Sequence, residues 1–315
     1  IPRFSNPQAL ISENEYLKLF SSEENYDFLS NQTTKRSGFS YVLSINTNNS
    51  LNLSLNQKNY YYSLLNSSYD PINDFVSNGS SINYSFKGKR VGYEFSFSKG
   101  FQGWNPWTDQ DKAYSSYYST QLNIFSKNNK TSIKLGHLQE DSSYLGMMIL
   151  NGQSSSNISH SSIFTIDSDF LINEKFSAFL SLTGMKAKPY ENFSFINIRS
   201  GSSLLTSTNL SIIGKNIFSK KDRLRLDYLV PLSIVKGTAD LKFISGRDYF
   251  GNYTTNTLKV NLAPSYRERV LTANYSSPIN AFSEFGLKLL LIENLNNIKT
   301  ESQANLTFYL RIKIK

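Results

Sequence analysis

Cysteine is absent from the 315 residues. That excludes a disulfide framework and any thiolate metal site. Histidine and tryptophan occur only twice each. Two imidazoles fall short of a histidine-built metal centre, which needs several ligands converging at set spacings. No stretch of about 20 consecutive apolar residues occurs, so no transmembrane helix is written in the chain. Hydrophobic residues make up 39% and the mean hydropathy is −0.37. These scarcities leave one membrane architecture open. The strands of a membrane β-barrel are half polar, and averaged hydropathy does not register them.

Aromatic residues are plentiful, with 20 Tyr and 22 Phe. Both suit strands and the interfacial girdles of barrels. The net charge is +9 and the isoelectric point near 9.4. No dense Lys/Arg cluster with interleaved aromatics accompanies it, so no nucleic acid partner is expected. The positive charge suits anionic lipid and lipopolysaccharide instead.

The strand signal is a period-two alternation that recurs from residue 39 to the end. Phe39, Tyr41, Leu43 and Ile45 alternate with polar or small residues up to a tight turn at Asn48-Asn49, and Leu51, Leu53 and Leu55 return. Ile82, Tyr84 and Phe86 lead to Lys87-Gly88-Lys89, and Val91, Tyr93, Phe95 and Phe97 run back with Glu94 on the other face. Further short turns are expected at Asn128-Asn129, Asn173-Glu174, Ser219–Asp222 and Ser277–Asn280. Longer connections fall at 65–78, 100–114, 141–160, 188–202, 245–255 and 295–301. Short turns on one edge and long loops on the other are the asymmetry of an outer-membrane barrel. Residues 223–244 and 256–276 exceed what a bilayer requires and are expected to project as one long hairpin. Pro231 and Pro264 are expected at bulges or edges in it. Residues 1–36 differ: polar and acidic, with a weak helix-start signal at Ser12 and Glu15.

The closing strand alternates most cleanly. Leu306, Phe308, Leu310, Ile312 and Ile314 share one face; Thr307, Tyr309, Arg311 and Lys313 share the other. The first set is expected to face lipid and to serve as the strand that the barrel-insertion machinery reads. The strand is expected to pair with Phe39–Asn46 and remove the sheet edge. Charged residues in alternation need water or partners. Glu94, Arg223, Arg225, Asp227, Lys259, Lys288, Arg311 and Lys313 are therefore expected to line a polar lumen.

Catalytic patterns fail on inspection. His137 and His160 have no Asp two residues away, and Asp167 and Asp169 sit seven or more residues from His160. Neither a lipase-type Ser–His arrangement nor an acid–His protease couple is legible. The Trp-bearing stretch Phe101–Trp107 reads as an interfacial anchor or loop cluster. No catalytic residue, metal ligand or cofactor is expected.

Several segments resemble the autotransporter-like barrel that follows the protease in bacterial subtilisin-like (S8) serine proteases. They are Leu135–Gly146, Phe179–Met185, Ser245-Gly-Arg-Asp248, Leu262–Glu268, Ser277-Pro-Ile279 and the final strand. The resemblance covers about residues 90–315. It implies a translocator or membrane anchor for an N-terminal passenger, covalent or cleaved. The chain departs from that pattern by ending on Lys315 rather than an aromatic. It also lacks the protease's catalytic motifs, so no catalytic role carries over.

The sequence thus predicts an all-β chain: a transmembrane antiparallel barrel over 37–315, with about 12 strands (12 to 14), preceded by a lead-in at 1–36 in or near the pore. The expected location is the bacterial outer membrane, in a mature product or the C-terminal part of a longer precursor. The alternatives are a free-standing porin or surface barrel and, further off, an outer-membrane lipase or protease barrel.

Overall fold

The computed structural model describes residues 8–12, 15–27, 32–46, 48–57, 72–76, 79–102, 113–141, 143–145, 147–148, 158–189, 196–197, 201–247, 249–280 and 283–312. The strands in chain order are β1 (Gln8–Ser12), β2 (Glu15–Asp27), β3 (Gln32–Asn46), β4 (Asn49–Gln57), β5 (Gly79–Lys87), β6 (Val91–Gln102), β7 (Ala113–Phe125), β8 (Asn129–Asp141), β9 (Ser143–Tyr144) and β10 (Met147–Met148). They continue as β11 (Ile158–Leu171), β12 (Phe176–Lys188), β13 (Ile196–Asn197), β14 (Ser203–Lys215), β15 (Arg223–Lys236), β16 (Thr238–Arg247), β17 (Tyr253–Asn261), β18 (Arg269–Pro278), β19 (Ser283–Glu293) and β20 (Ser302–Ile312).

The expected all-β antiparallel class holds. Among the described residues, fifteen strands form one sheet in the order β1-β2-β3-β4-β5-β6-β7-β8-β11-β12-β14-β15-β18-β19-β20. Thirteen of them start at or after Gln32, within the 12 to 14 expected for that stretch. Each expected short turn joins consecutive strands. At Gly88, for example, the amide donates to the Val91 carbonyl at 2.9 Å.

Three expectations differ from the structure. The helix signal at Ser12–Phe20 gives way to strand, because β2 runs through it and pairs with β3 from Glu15↔Leu43 to Asp27↔Gln32. The sheet therefore begins inside the segment read as a lead-in. Phe39–Asn46 does not pair with the closing strand: β2 and β4 occupy its two edges. The long hairpin of 223–276 is broken. Only Arg223–Leu229 of β15 pairs with β18, while β16 and β17 join β13 in a separate three-stranded sheet. Pro231 does lie at an irregularity, between the pairs Thr206↔Ser233 and Thr208↔Val230. A proline cannot donate to the ladder, so the register slips there.

The chain divides into two compact units. Unit 1 comprises Ile1–Asn123, Lys134–Ile163 and Ala187–Ser194; unit 2 comprises Ile124–Ile133, Phe164–Lys186 and Phe195–Lys315. Each has two chemically distinct sheet faces. In unit 2 the register aligns Ser211, Asp227 and Thr272 on one face, followed by Asn274, Lys288 and Thr307. The opposite face carries Leu210, Leu226, Leu271, Leu291, Phe308 and Leu310, all exposed. In unit 1, Ser81↔Ser98, Asn83↔Ser96 and Ser85↔Glu94 form a polar face. Ile82, Tyr84, Tyr93 and Phe95 are exposed on the other. A soluble protein buries its apolar face and exposes its polar one. Here the assignment is reversed.

Two glycines permit close contacts on the polar faces. A Cβ at Gly136 would meet the Tyr117 ring at 2.6 Å, and one at Gly286 would collide with the ring of Tyr309. Gly286 stands directly opposite Tyr309 in the β19–β20 register. Each tyrosine ring occupies the space that a side chain at the glycine would fill.

Candidate functional site

The polar faces hold most of the structured chemistry. In unit 2 its centre is Asp227, only 6% exposed. Alternation along β15 puts Arg225 and Asp227 on the same face. The Arg225 Nε donates to Asp227 Oδ1 at 2.7 Å. Ser211 Oγ from β14 donates a short bond to the same oxygen. Thr272 Oγ1 from β18 donates to Oδ2 at 2.9 Å. Three adjacent strands thus satisfy one buried carboxylate, as a low-dielectric setting demands.

The remaining expected lumen residues divide. Glu94 is half-buried opposite Ser85, and Lys288 is half-buried between Asn274 and Thr307. Arg223 is exposed at the turn end of β15. Arg311 stands opposite Glu284 in the register. Lys259 lies in β17, exposed and opposite Asp240, in the separate three-stranded sheet. Lys313 and Ile314 lie outside the described residues, as do Trp104 and Trp107. Leu306, Phe308 and Leu310 stand on the apolar face at 54%, 65% and 59% exposure, and Ile312 pairs with Ser283.

In unit 1 residues of the loop after β8 bond to Glu140, which the alternation did not reveal. Glu140, near the loop end of β8, is fully buried. Its carboxylate accepts bonds from Ser143 Oγ at 3.3 Å and from the Leu145 amide at 3.1 Å. Leu145 has φ of 52°, a left-handed conformation that aims its amide back at Glu140. Ser159 Oγ donates to the Ser143 carbonyl at 2.7 Å. Ile72, Tyr117, Leu138 and Tyr144 are buried in the same unit. The hydroxyls of Ser115 and Ser161 are buried without a protein partner, so water is their remaining partner.

The turn after β14 is built around Asp222. Its carboxylate accepts bonds from the amides of Ile217, Phe218 and Ser219 at 2.7, 2.7 and 2.8 Å. The Tyr275 hydroxyl adds a fourth at 3.3 Å. Enclosure pushes this carboxyl up. The Phe218, Ser219 and Ile217 amides and the Tyr275 hydroxyl outweigh that and hold it below the ordinary carboxylate value.

The two histidines meet, though 23 residues separate them. His160 Nδ1 lies 3.3 Å from His137 Nε2, and the rings stack at 5.4 Å. Both are on the apolar face: His160 alternates with buried Ser159 and Ser161, and His137 with buried Leu138. Asp167 and Asp169 lie near the other end of β11, seven and nine residues further on. Among the described residues no three histidine or acidic side chains gather to hold a metal.

No family model and no curated protein matches the chain. Among solved structures it is similar to OmpT, an outer membrane protein of Vibrio cholerae, at 10% identity and a TM-score of 0.47, over 96% of this chain and 98% of that one. It is also similar to the siderophore receptor PirA of Acinetobacter baumannii, at 8% identity and 0.34, over 96% of this chain and 68% of that one. At such values neither protein's role transfers to this chain.

Proposed function

We propose that the chain is a transmembrane β-barrel of the bacterial outer membrane with a constricted polar interior, working as a porin-like passage for small polar solutes. One observation carries the reading: the exposed sheet faces are apolar, and the polar faces hold the buried, mutually bonded groups. Lipid is the solvent that matches an exposed row of Leu226, Leu271, Leu291, Phe308 and Leu310. A polar interior with water matches Asp227, Lys288 and the unpartnered hydroxyls of Ser115 and Ser161. No chemical step is assigned to it.

The constriction is the loop hairpin that Glu140 ties down. In planar bilayers the purified chain is expected to conduct weakly, and Glu140→Ala is expected to raise single-channel conductance by freeing that hairpin. A chain that never inserts, or a variant whose conductance is unchanged, ends the reading.

A second reading is a translocator and anchor for an N-terminal passenger such as a subtilisin-like protease. It is supported by the resemblance of residues 90–315 alone. The hydrogen-bonding of β2 into the sheet weighs against a lead-in that threads the pore. Export of a reporter fused before Ile1 tests it; retention of the reporter inside the cell excludes it.

A further inference from the structure

The proposed membrane reading gives the histidine pair an unusual position. Two imidazoles on a lipid-facing surface need a polar partner. Their depth indicates which. His137 is eight residues from the short-turn end of β8, and His160 is the third residue of β11, just after a long loop. At the usual strand rise and tilt, eight residues climb about 20 Å, near the top of an apolar band about 25 Å tall. The pair therefore lies where acyl chains give way to headgroups.

Its neighbours are cationic on one side and aromatic on the other. The backbone bond from Ile172 to Phe176 and the Thr165–Thr183 hydroxyl bond fix the β11–β12 register. Carried along, it puts Lys188 opposite His160. Lys188 is exposed. On the other side of the pair, a shallow groove of about 630 Å³ runs across the apolar face and reaches His137. Its walls are Ile82, Tyr84, Phe95, Phe97, Tyr118 and Leu135. Phe97 and Tyr118 pack at 4.9 Å in its floor. Asp141, four residues nearer the loop, is the one carboxylate that alternation places on this face of β8.

We propose that this groove and the His137–His160 pair form a site for an acylated lipid bearing a phosphate. The acyl chain lies along the aromatic groove, and the phosphate oxygens accept from His160, His137 and Lys188. Charge complementarity selects the occupant: the groove is apolar, its open end carries donors and a cation, and a neutral lipid leaves those donors unused. The site rests on the membrane reading, yet its failure is separable from failure of that reading.

The test uses the full chain in detergent with a dansyl-labelled short-chain phosphatidic acid as the probe. Diacylglycerol with the same chains, and the same label, is the comparison. Phosphatidic acid is expected to bind at least about tenfold more tightly than diacylglycerol, the value of one charge-assisted hydrogen bond. The double variant His137→Ala, His160→Ala is expected to reduce that preference, and adding Lys188→Ala to abolish it. Phe95→Ser is expected to weaken both lipids while leaving their ratio intact. Equal binding of the two lipids by the native chain, or an undiminished preference in the double variant, overturns the site. Circular dichroism in vesicles reports insertion separately. A chain that inserts and binds both lipids equally refutes only the lipid site.

Discussion

Replacing Asp227 by alanine tests the claim that the polar faces are a structured interior. The change removes the acceptor of three bonds and strands Arg225, whose side chain is only 19% exposed. Breaking a buried ion pair costs about 3–5 kcal/mol. Arg225 retains some access to water, so the expectation is the lower end, about 3 kcal/mol. Removing both charges with Arg225→Leu and Asp227→Ala is expected to recover part of the loss, because the desolvation of both ions disappears with them. The assay is a urea titration in phospholipid vesicles followed by circular dichroism, with Arg225→Leu alone completing the cycle. A coupling energy of about 1.5 kcal/mol or more is expected for groups in direct contact. If Asp227→Ala costs under about 1 kcal/mol, the pair behaves like one on an open surface. The reasoning that places it inside then fails.

Phe308→Arg on the apolar face is expected to cost about 2–4 kcal/mol in the same titration, whereas Thr307→Arg on the polar face costs little; equal costs would mean the faces are misassigned. Asp222 gives an acid prediction. Its carboxyl lies below the ordinary value of 3.8, so its contribution is fully present above the unfolded value and is lost as pH falls through the folded one. Asp222→Asn is expected to flatten the pH dependence of stability in that acid range; an unchanged profile would show that the turn does not depend on the charge. Gly286→Val is expected to displace the Tyr309 ring and destabilise β19–β20, seen as a lower urea midpoint, and an unchanged midpoint would show that the ring moves freely.

How much of this was legible depends on the range of the interaction. The β5–β6 hairpin was fully readable, because alternation and the Lys87-Gly88-Lys89 turn fix its register locally. The early strands were not. Between Phe20 and Glu23 the β2–β3 register shifts, so the period-two signal is broken where the acidic residues cluster. Alternation shows that the segment around Lys259 is a strand without showing that it joins the separate sheet of β13, β16 and β17. The bonding of Glu140 was invisible because its partners, Ser143 and Leu145, come from the loop that follows β8. The histidine pair was invisible for a related reason. It depends on the register between β8 and β11, set across a connection that no local rule constrains.

The abundance of serine also acquires a physical reason. On the polar faces, cross-strand hydroxyls bond one another: Ser50 with Ser85 at 2.7 Å, Ser96 with Ser119 at 2.5 Å, Thr131 with Ser168 at 3.2 Å and Thr165 with Thr183 at 3.1 Å. A hydroxyl is both donor and acceptor and rotates to suit. Two facing hydroxyls therefore satisfy each other with no ion to desolvate. They remain compatible with water wherever the interior is wet. Charged pairs would demand fixed partners at each position, as Asp227 does, and aliphatic pairs would exclude water. A hydroxyl ladder suits an interior that is packed at one level and hydrated at another. On the proposed membrane reading, the same side chains on the outer face would leave their donors in hydrocarbon. That is why the two faces of each strand cannot exchange roles, and why a one-residue slip in register would be ruinous here.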